Sequence, residues 1–412
     1  MNYSDRFLRE TASYGVLDIM LVDIAVRIQL TPTDYQKAID HYEAINEWID
    51  REESPLRDRV QLFYPQGGFM IGATTARHAS DADFDIDVMA QIAWPTDIDP
   101  ESALSTLHKA IRGELGSRYY EKAERKTRCS TVHYDGMHLD VTPSVRLLHR
   151  EEKTSYIFHS KPNEPKQTLY ANPFGFGQWF LSMTPPEEIF SLYIEKSSLD
   201  YDRMRLQVLA KTDAVPVPVQ APIYRKSRAV IALQLIKRWR NLAYDRRHAK
   251  LRVPPSVLIA YYVASNANKT HTLADELIHQ VECIISALRD AERLYTTVTE
   301  FNPMCPEDEL TDRWPANLAE QRVFIDELEA FLVQLHPLRD GVPLAAMQKI
   351  LEELFGEHPA REAVRKYAGQ HDDDNRIGKG FHILRTGSIP ALGSTAVPAN
   401  ARPTPRSSPW GD

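Results

Sequence analysis

Cysteine is scarce in this chain. Cys129, Cys283 and Cys305 are the three present in 412 residues, too few for a disulfide framework and in keeping with a reducing, cytoplasmic setting. They do not make a zinc site either. His279 and Cys283 stand one helical turn apart with Cys305 further on, but a structural zinc takes four ligands and no fourth is evident. No apolar run approaches the ~18 residues of a membrane span, so no membrane partner is expected. The opening residues, MNYSDRFLRE, lack the apolar core of a secretion signal. Excess positive charge is missing too. The net charge is −8, so the chain has no overall attraction for nucleic acid, and no obligatory nucleic-acid partner is expected, although a local basic groove would be compatible with it.

Against that plain background one stretch stands out, Tyr64 to Met89, reading YPQGGFMIGATTARHASDADFDIDVM. Side chains two apart on a strand share a face, so Asp85 and Asp87 point together while Phe84, Ile86 and Val88 pack behind them. Two carboxylates so close repel one another unless a cation lies between them, which makes this a site for a divalent metal. Upstream, Gln66-Gly67-Gly68 offers backbone amides that a phosphate can approach closely. Asp83 opens a second register, with Asp83 and Asp85 as the pair. Asp85 and Asp87 are preferred because their apolar neighbours form an unbroken face, leaving Asp81 and Asp83 solvated. Further on, Arg128 to Tyr134 and Met137 to Pro143 flank Asp135-Gly136, a two-residue hairpin turn. The return strand puts His138, Asp140 and Thr142 on one face, where Asp140 can stand beside the acidic pair.

A glycine pair followed by Asp-x-Asp between apolar residues resembles the nucleotidyltransferase superfamily that includes DNA polymerase beta. The fuller wording, QGGFMIGATTAR then DFDIDV, resembles more narrowly the bacterial cGAS/DncV-like nucleotidyltransferases, the cyclases of CBASS anti-phage defence. The resemblance spans about residues 30 to 380. It implies an α+β fold, with a mixed-sheet polymerase-beta-like core followed by an α-helical lobe and the active site in the cleft between them. It implies Asp140 as third ligand beside Asp85 and Asp87, holding two Mg²⁺ ions, with Mn²⁺ as a substitute. Gln66, Gly67, Gly68, Lys237 (in LQLIKRWR) and Ser256 (in PPSVLIA) are then the nucleotide-binding residues. The substrates implied are nucleoside triphosphates, ATP among them, and the product a cyclic di- or trinucleotide received by a separate effector protein. The tail is a candidate for a conjugating or regulatory partner. Many relatives carry Gly-Ser where this chain has Gly67-Gly68, so backbone amides alone must serve the terminal phosphate here. Two readings within the same superfamily compete, an enzyme extending RNA ends and a toxin modifying RNA or protein. A third is a nucleotide-binding module without catalysis.

Three divisions are expected: residues 1–222 as the core with an N-terminal bracing helix, 223–376 as the helical lobe, and 377–412 as a disordered tail rich in Pro, Ala and Ser. Val16 to Leu30 reads as one helix. Thr31 caps a second, whose stripe of Tyr35, Ala38, Ile39, Tyr42, Ile45 and Ile49 is a packing spine that the resemblance extends to both lobes. Glu101 to Tyr120 reads as a helix, and Trp179 and Phe180 as buried anchors. The Pro/Val-rich stretch from Lys211 to Pro222 is the internal boundary. Helices follow over Arg225 to Ala243, from Ser256, over Leu273 to Tyr295, Asn317 to Leu335 and Pro343 to Tyr367.

Overall fold

A computed structural model of the chain describes residues 15–76, 84–151, 153–187, 190, 194, 201, 226–376, 381–383 and 401–403. Arg77, Asp81, Asp83 and the expected boundary at 211–222 lie outside the described residues, as does most of the expected tail, in which Phe381–Ile383 pairs with Ala401–Pro403. Among the described residues no helix is long and apolar enough to cross a membrane.

The first helix, α1 (Val16–Ile28), has no extended polar face. Such a helix must be covered all round, and Met20, Leu21, Ile24 and Ala25 are buried in the apolar cluster of the helical lobe. The segment was expected with the nucleotidyltransferase half, yet its packing surface belongs to the other. Thr31 caps α2 (Pro32–Ile49), its Oγ1 accepting from the Asp34 amide at 3.2 Å. The α2 stripe, with Ala38, Ile45 and Ile49 buried, packs into the sheet's core beside Ile86 and Leu139. The two lobes are thus tied by consecutive helices, one in each core, rather than by α2 alone.

The strands β1 (Val60–Pro65), β2 (Phe84–Ile92), β3 (Ala123–Arg125), β4 (Ser130–Tyr134), β5 (Met137–Arg146), β6 (Ser155–His159) and β7 (Gln167–Ala171) make one mixed sheet. Its order is β1-β2-β5-β4-β3, with β6 extending the far end of β5 and β7 beside it. The β2–β5 pair is parallel and the others antiparallel. A short helix, α3 (Gly67–Met70), follows β1, and α4 (Pro100–Arg112) follows β2. α4 stops well before Tyr120 because Gly113 takes φ +67°, a left-handed conformation that ends helices. The Asp135-Gly136 hairpin forms, with Gly136 at φ +70° and Tyr134 opposite Met137.

The helical lobe holds α5 (Pro173–Met183), α6 (Arg228–Arg247), α7 (Ser256–Ser265), α8 (Leu273–Arg293), α9 (Leu318–Asp340), α10 (Leu344–Phe355) and α11 (Glu357–Arg376). α6 runs on to Arg247, past the expected end at Ala243. The single last helix expected from Pro343 is two, because Gly356 at φ +104° breaks it. Phe180 is buried as expected, whereas Trp179 is only half-buried and stacks on Tyr261 at 5.7 Å. Between α8 and α9 a ribbon of β8 (Phe301–Asn302) and β9 (Cys305–Glu309) reaches back to the sheet, Asn302 Nδ2 donating to the Asn172 carbonyl at 2.9 Å.

Candidate active site

The site begins with register. β2 and β5 pair in parallel with Asp87 directly beside Asp140 and Asp85 beside His138. Strand alternation buries Phe84, Ile86 and Val88 of β2 and Leu139 and Val141 of β5 on the opposite face. The acidic side chains are therefore delivered together to one face of the sheet. Asp85 and Asp87 line a cavity of about 620 Å³ between sheet and helical lobe, within the range of small-ligand sites. Asp140, beside Asp87 in register but not among the residues that line the cavity, accepts a hydrogen bond from Thr131, its cross-strand partner on β4.

The electrostatics of this trio are unfavourable without a cation. Burial, then Asp140, then Asp85 raise the Asp87 pKa to about 7, and the Lys237 charge only partly opposes them. The Cys129 thiol is also pushed up, first by burial and then by Asp140 and Asp87. Among the described residues no three His, Cys, Asp or Glu side chains have closed into a finished ligand set. The donor chemistry nonetheless fits a hard divalent ion, because carboxylate oxygens crowded on one strand pair are what such ions bind.

The glycine pair sits against this trio. The Gln66 amide donates to the Asp87 carbonyl at 2.9 Å, and Gln66 Nε2 reaches Thr142 Oγ1 at 3.4 Å. Gly67 takes φ +55°, and a Cβ there would lie 2.6 Å from Asp87 Oδ2, so only glycine leaves the carboxylate its place. A Cβ on Gly68 would come 3.1 Å from Lys237 Nζ. That lysine, on α6, arches over the turn and donates to the Ala73 carbonyl at 2.6 Å, so it does not lie on a solvated helix face. Burial, then Arg240, lower its pKa to about 8, while Asp87 and Asp85 raise it.

Ser256 also lines the cavity, but Pro255 occupies the cap position and the serine caps nothing. Its Oγ instead accepts from Arg240 Nη2 at 3.0 Å, and Arg240 Nη1 holds the Pro254 carbonyl at 2.7 Å. Arg240 is a site residue that sequence reasoning missed. Its spacing of three from Lys237 puts both on one face of α6, which was the available signal. Thr131 and Thr142 were likewise missed, being ordinary strand residues until the register is known.

Comparison with known proteins then decides the family. Residues 61–143 match the model for the nucleotidyltransferase domain of cyclic GMP-AMP synthase DncV-like proteins. The chain is 36% identical over 356 residues to the cyclic dinucleotide synthase CdnG of Bradyrhizobium diazoefficiens, covering 85% of this chain and 83% of that one. The chain belongs to the DncV-like nucleotidyltransferase family. As such it is an enzyme of the nucleotidyltransferase type, in a family that makes cyclic oligonucleotides and works with a divalent metal ion. The solved structure of the Bradyrhizobium CdnG in complex with GTP superposes with a TM-score of 0.73 at 35% identity, covering 85% of this chain and 97% of that one. Escherichia coli MS115-1 CdnC with ATP shares the fold at a TM-score of 0.54 and 12% identity, over 85% of this chain and 97% of that one. The mixed sheet with its helical lobe is thus the DncV-like fold, and the sequence resemblance identified it.

Proposed function

We propose that this enzyme joins nucleoside triphosphates without a template into a cyclic di- or trinucleotide second messenger, releasing pyrophosphate, in anti-phage signalling. Kinship with CdnG favours the dinucleotide. The observation that carries the reading is the parallel register of Asp87 with Asp140, with Asp85 on the same face, below Lys237.

In this reading Asp85, Asp87 and Asp140 hold two Mg²⁺ ions, or Mn²⁺ in their place, which would acidify the attacking ribose hydroxyl and neutralise the triphosphate and departing pyrophosphate. The protein does the positioning. Backbone amides of Gly67 and Gly68 approach the phosphates, the Gln66 amide being held by the Asp87 carbonyl. Lys237 supplies a point charge and Ser256, presented by Arg240, a hydroxyl to the same polyphosphate. Closing the ring is a second displacement of the same kind at phosphorus, so one set of carboxylates serves both steps. ATP is expected among the substrates, a separate effector receives the product, and the tail is offered to a conjugating or regulatory partner.

The test supplies Mg²⁺ and all four nucleoside triphosphates, then phosphatase, then mass spectrometry. A ring has no terminal phosphate and survives. Asp85→Asn, Asp87→Asn and Asp140→Asn should each abolish the product while leaving the melting transition cooperative. Products that all lose their label to phosphatase, or that form only with added RNA or protein acceptor, would point to an RNA-extending enzyme or a toxin and end the cyclase reading.

A further inference from the structure

One stretch of the cavity wall takes no part in the chemistry above. It is made by β9 and the turn after it, with Arg128 reaching in from the sheet and Arg252 from the segment before α7. Asp308 is held rigidly there. Its Oδ2 accepts from the Asn172 amide at 3.0 Å and from Asn302 Nδ2 at 2.8 Å, and both asparagines are buried. Among the described residues its Oδ1 accepts no hydrogen bond.

Arg313 is the opposite case. It is half-buried, lines the same cavity, and among the described residues makes no hydrogen bond or ion pair. Its Nε is fully buried without an acceptor. Arg128, by contrast, is engaged with Asp312 and donates to His159 Nδ1 at 3.2 Å. Arg128 lies within electrostatic reach of both Asp308 and Arg313, so the two belong to one neighbourhood. A buried Nε–H that donates to nothing is costly unless a ligand accepts from it.

The charge on this wall says what kind of ligand. Asp308, Glu309 and Asp312 stand against Arg128, Arg252 and Arg313, an even balance. A polyphosphate would meet three carboxylates here, whereas a neutral ring edge with both donors and acceptors would meet partners for each. Among the bases, guanine carries two adjacent acceptors, O6 and N7, which suit the arginine fork, and two adjacent donors, N1–H and N2–H, which suit a carboxylate.

We infer that Asp308 and Arg313 read the edge of a guanine, and so set the base selectivity of one of the enzyme's nucleotide subsites. The inference rests on the nucleotidyltransferase reading. Asp308 accepts at N1–H and N2–H, and Arg313 donates to O6 and N7.

The test measures binding of the α,β-methylene analogues of GTP, ATP and ITP to the full chain with Mg²⁺, where no bond can be made. Wild type should hold the guanine analogue about tenfold tighter than the adenine one, the scale of a good bidentate base contact. Arg313→Lys, which keeps the charge without the fork, should erase most of that margin and leave adenine binding within twofold. Asp308→Asn should abolish the preference for guanine over inosine, which lacks the 2-amino group. Should Asp308→Asn unfold for want of its asparagine contacts, Arg313→Lys still decides, because Arg313 has no bond to lose. An equal loss of all three analogues in Arg313→Lys would make the residue a generic charge, and a wild type without guanine preference would refute the assignment; either result overturns it while leaving nucleotidyl transfer intact. Failure of wild type to bind any analogue would instead bring down the nucleotidyltransferase reading, and this inference with it.

Discussion

Two glycines a few residues apart separate backbone strain from intrusion on the Asp87 carboxylate. Gly67 and Gly72 both take positive φ, +55° and +67°. Alanine in that region costs about 1–2 kcal/mol wherever it is placed. The surroundings differ. At Gly72 the nearest atom to an added Cβ is Lys226 Cε at 3.9 Å, an ordinary contact. At Gly67 the new Cβ would meet Asp87 Oδ2 at 2.6 Å and its Cγ at 3.2 Å. Neither backbone can retreat, because the Gln66 amide is bonded to the Asp87 carbonyl at 2.9 Å. The Asp87 side chain must therefore turn away by something on the order of 1 Å, a misplacement worth about 100-fold in rate. Both variants should melt a few degrees lower, by similar amounts. Pyrophosphate release at saturating nucleotide should fall about 100-fold in Gly67→Ala and less than threefold in Gly72→Ala. Equal rates in the two variants would mean that Asp87 has room to spare, and the cradle argument would be wrong.

Lys237→Ala should weaken nucleotide binding by about 1–3 kcal/mol, the worth of a charge-assisted hydrogen bond; an unchanged KM would remove that lysine from the phosphate. Thr131→Val should raise the Mg²⁺ concentration needed for half-maximal turnover, since Asp140 loses its hydrogen-bond donor, while Thr131→Ser should restore it; equal behaviour of the two would make the threonine mere packing. Lys226 gives a pH signature. Burial and the nearby Lys237 lower its pKa to about 7. Above that pH the unfolded chain holds a proton that the folded chain has released, so stability rises with pH toward the ordinary lysine range, by at most about 1.4 kcal/mol per unit. Urea midpoints at pH 6, 7.5 and 9 should show that rise in wild type and a shallower one in Lys226→Met; parallel curves would exclude the lysine as its source.

Where sequence and structure agree, the signal was local. The Asp135-Gly136 hairpin needed only its turn residues and the flanking alternation, and Thr31 with Pro32 announced α2. Asp85 and Asp87 share a face by strand periodicity alone. That Asp140 lies directly beside Asp87 is different: alternation assigns faces but never partners, so the register came from the family resemblance and from the fold. Asp308 shows the same limit more sharply, since the amide it accepts from, that of Asn172, lies 136 residues away in the chain. The helix read over Val16 to Leu30 could not be assigned to a lobe from sequence, because a helix greasy on all sides names no neighbour. Gly356 inside a helical pattern is as readily tolerated as breaking, until its φ is known.

Lys237 is the case where the sequence held more than was drawn from it. The family resemblance placed it among the nucleotide-binding residues, without saying how the chain itself positions it. Yet the helix around it reads Ala229-Val230-Ile231-Ala232-Leu233-Gln234-Leu235-Ile236, and every one of those residues is buried, as is Trp239. A run apolar at consecutive positions covers all sides of a helix and leaves no solvated face for a lysine to occupy. A cation embedded in such a run must end on a partner or in a cavity, since an unpaired buried charge is too costly to keep. Here it ends on both, over the glycine turn and at the edge of the acidic pair. The same rule applies to Arg238 and Arg240 on that helix: Arg238 spends its donors on the Phe355 and Ala76 carbonyls, while Arg240 spends part of its own on Pro254 and Ser256 at the cavity wall. The polar interruptions of an all-buried helix, read one by one for what each could reach, are where its function is written.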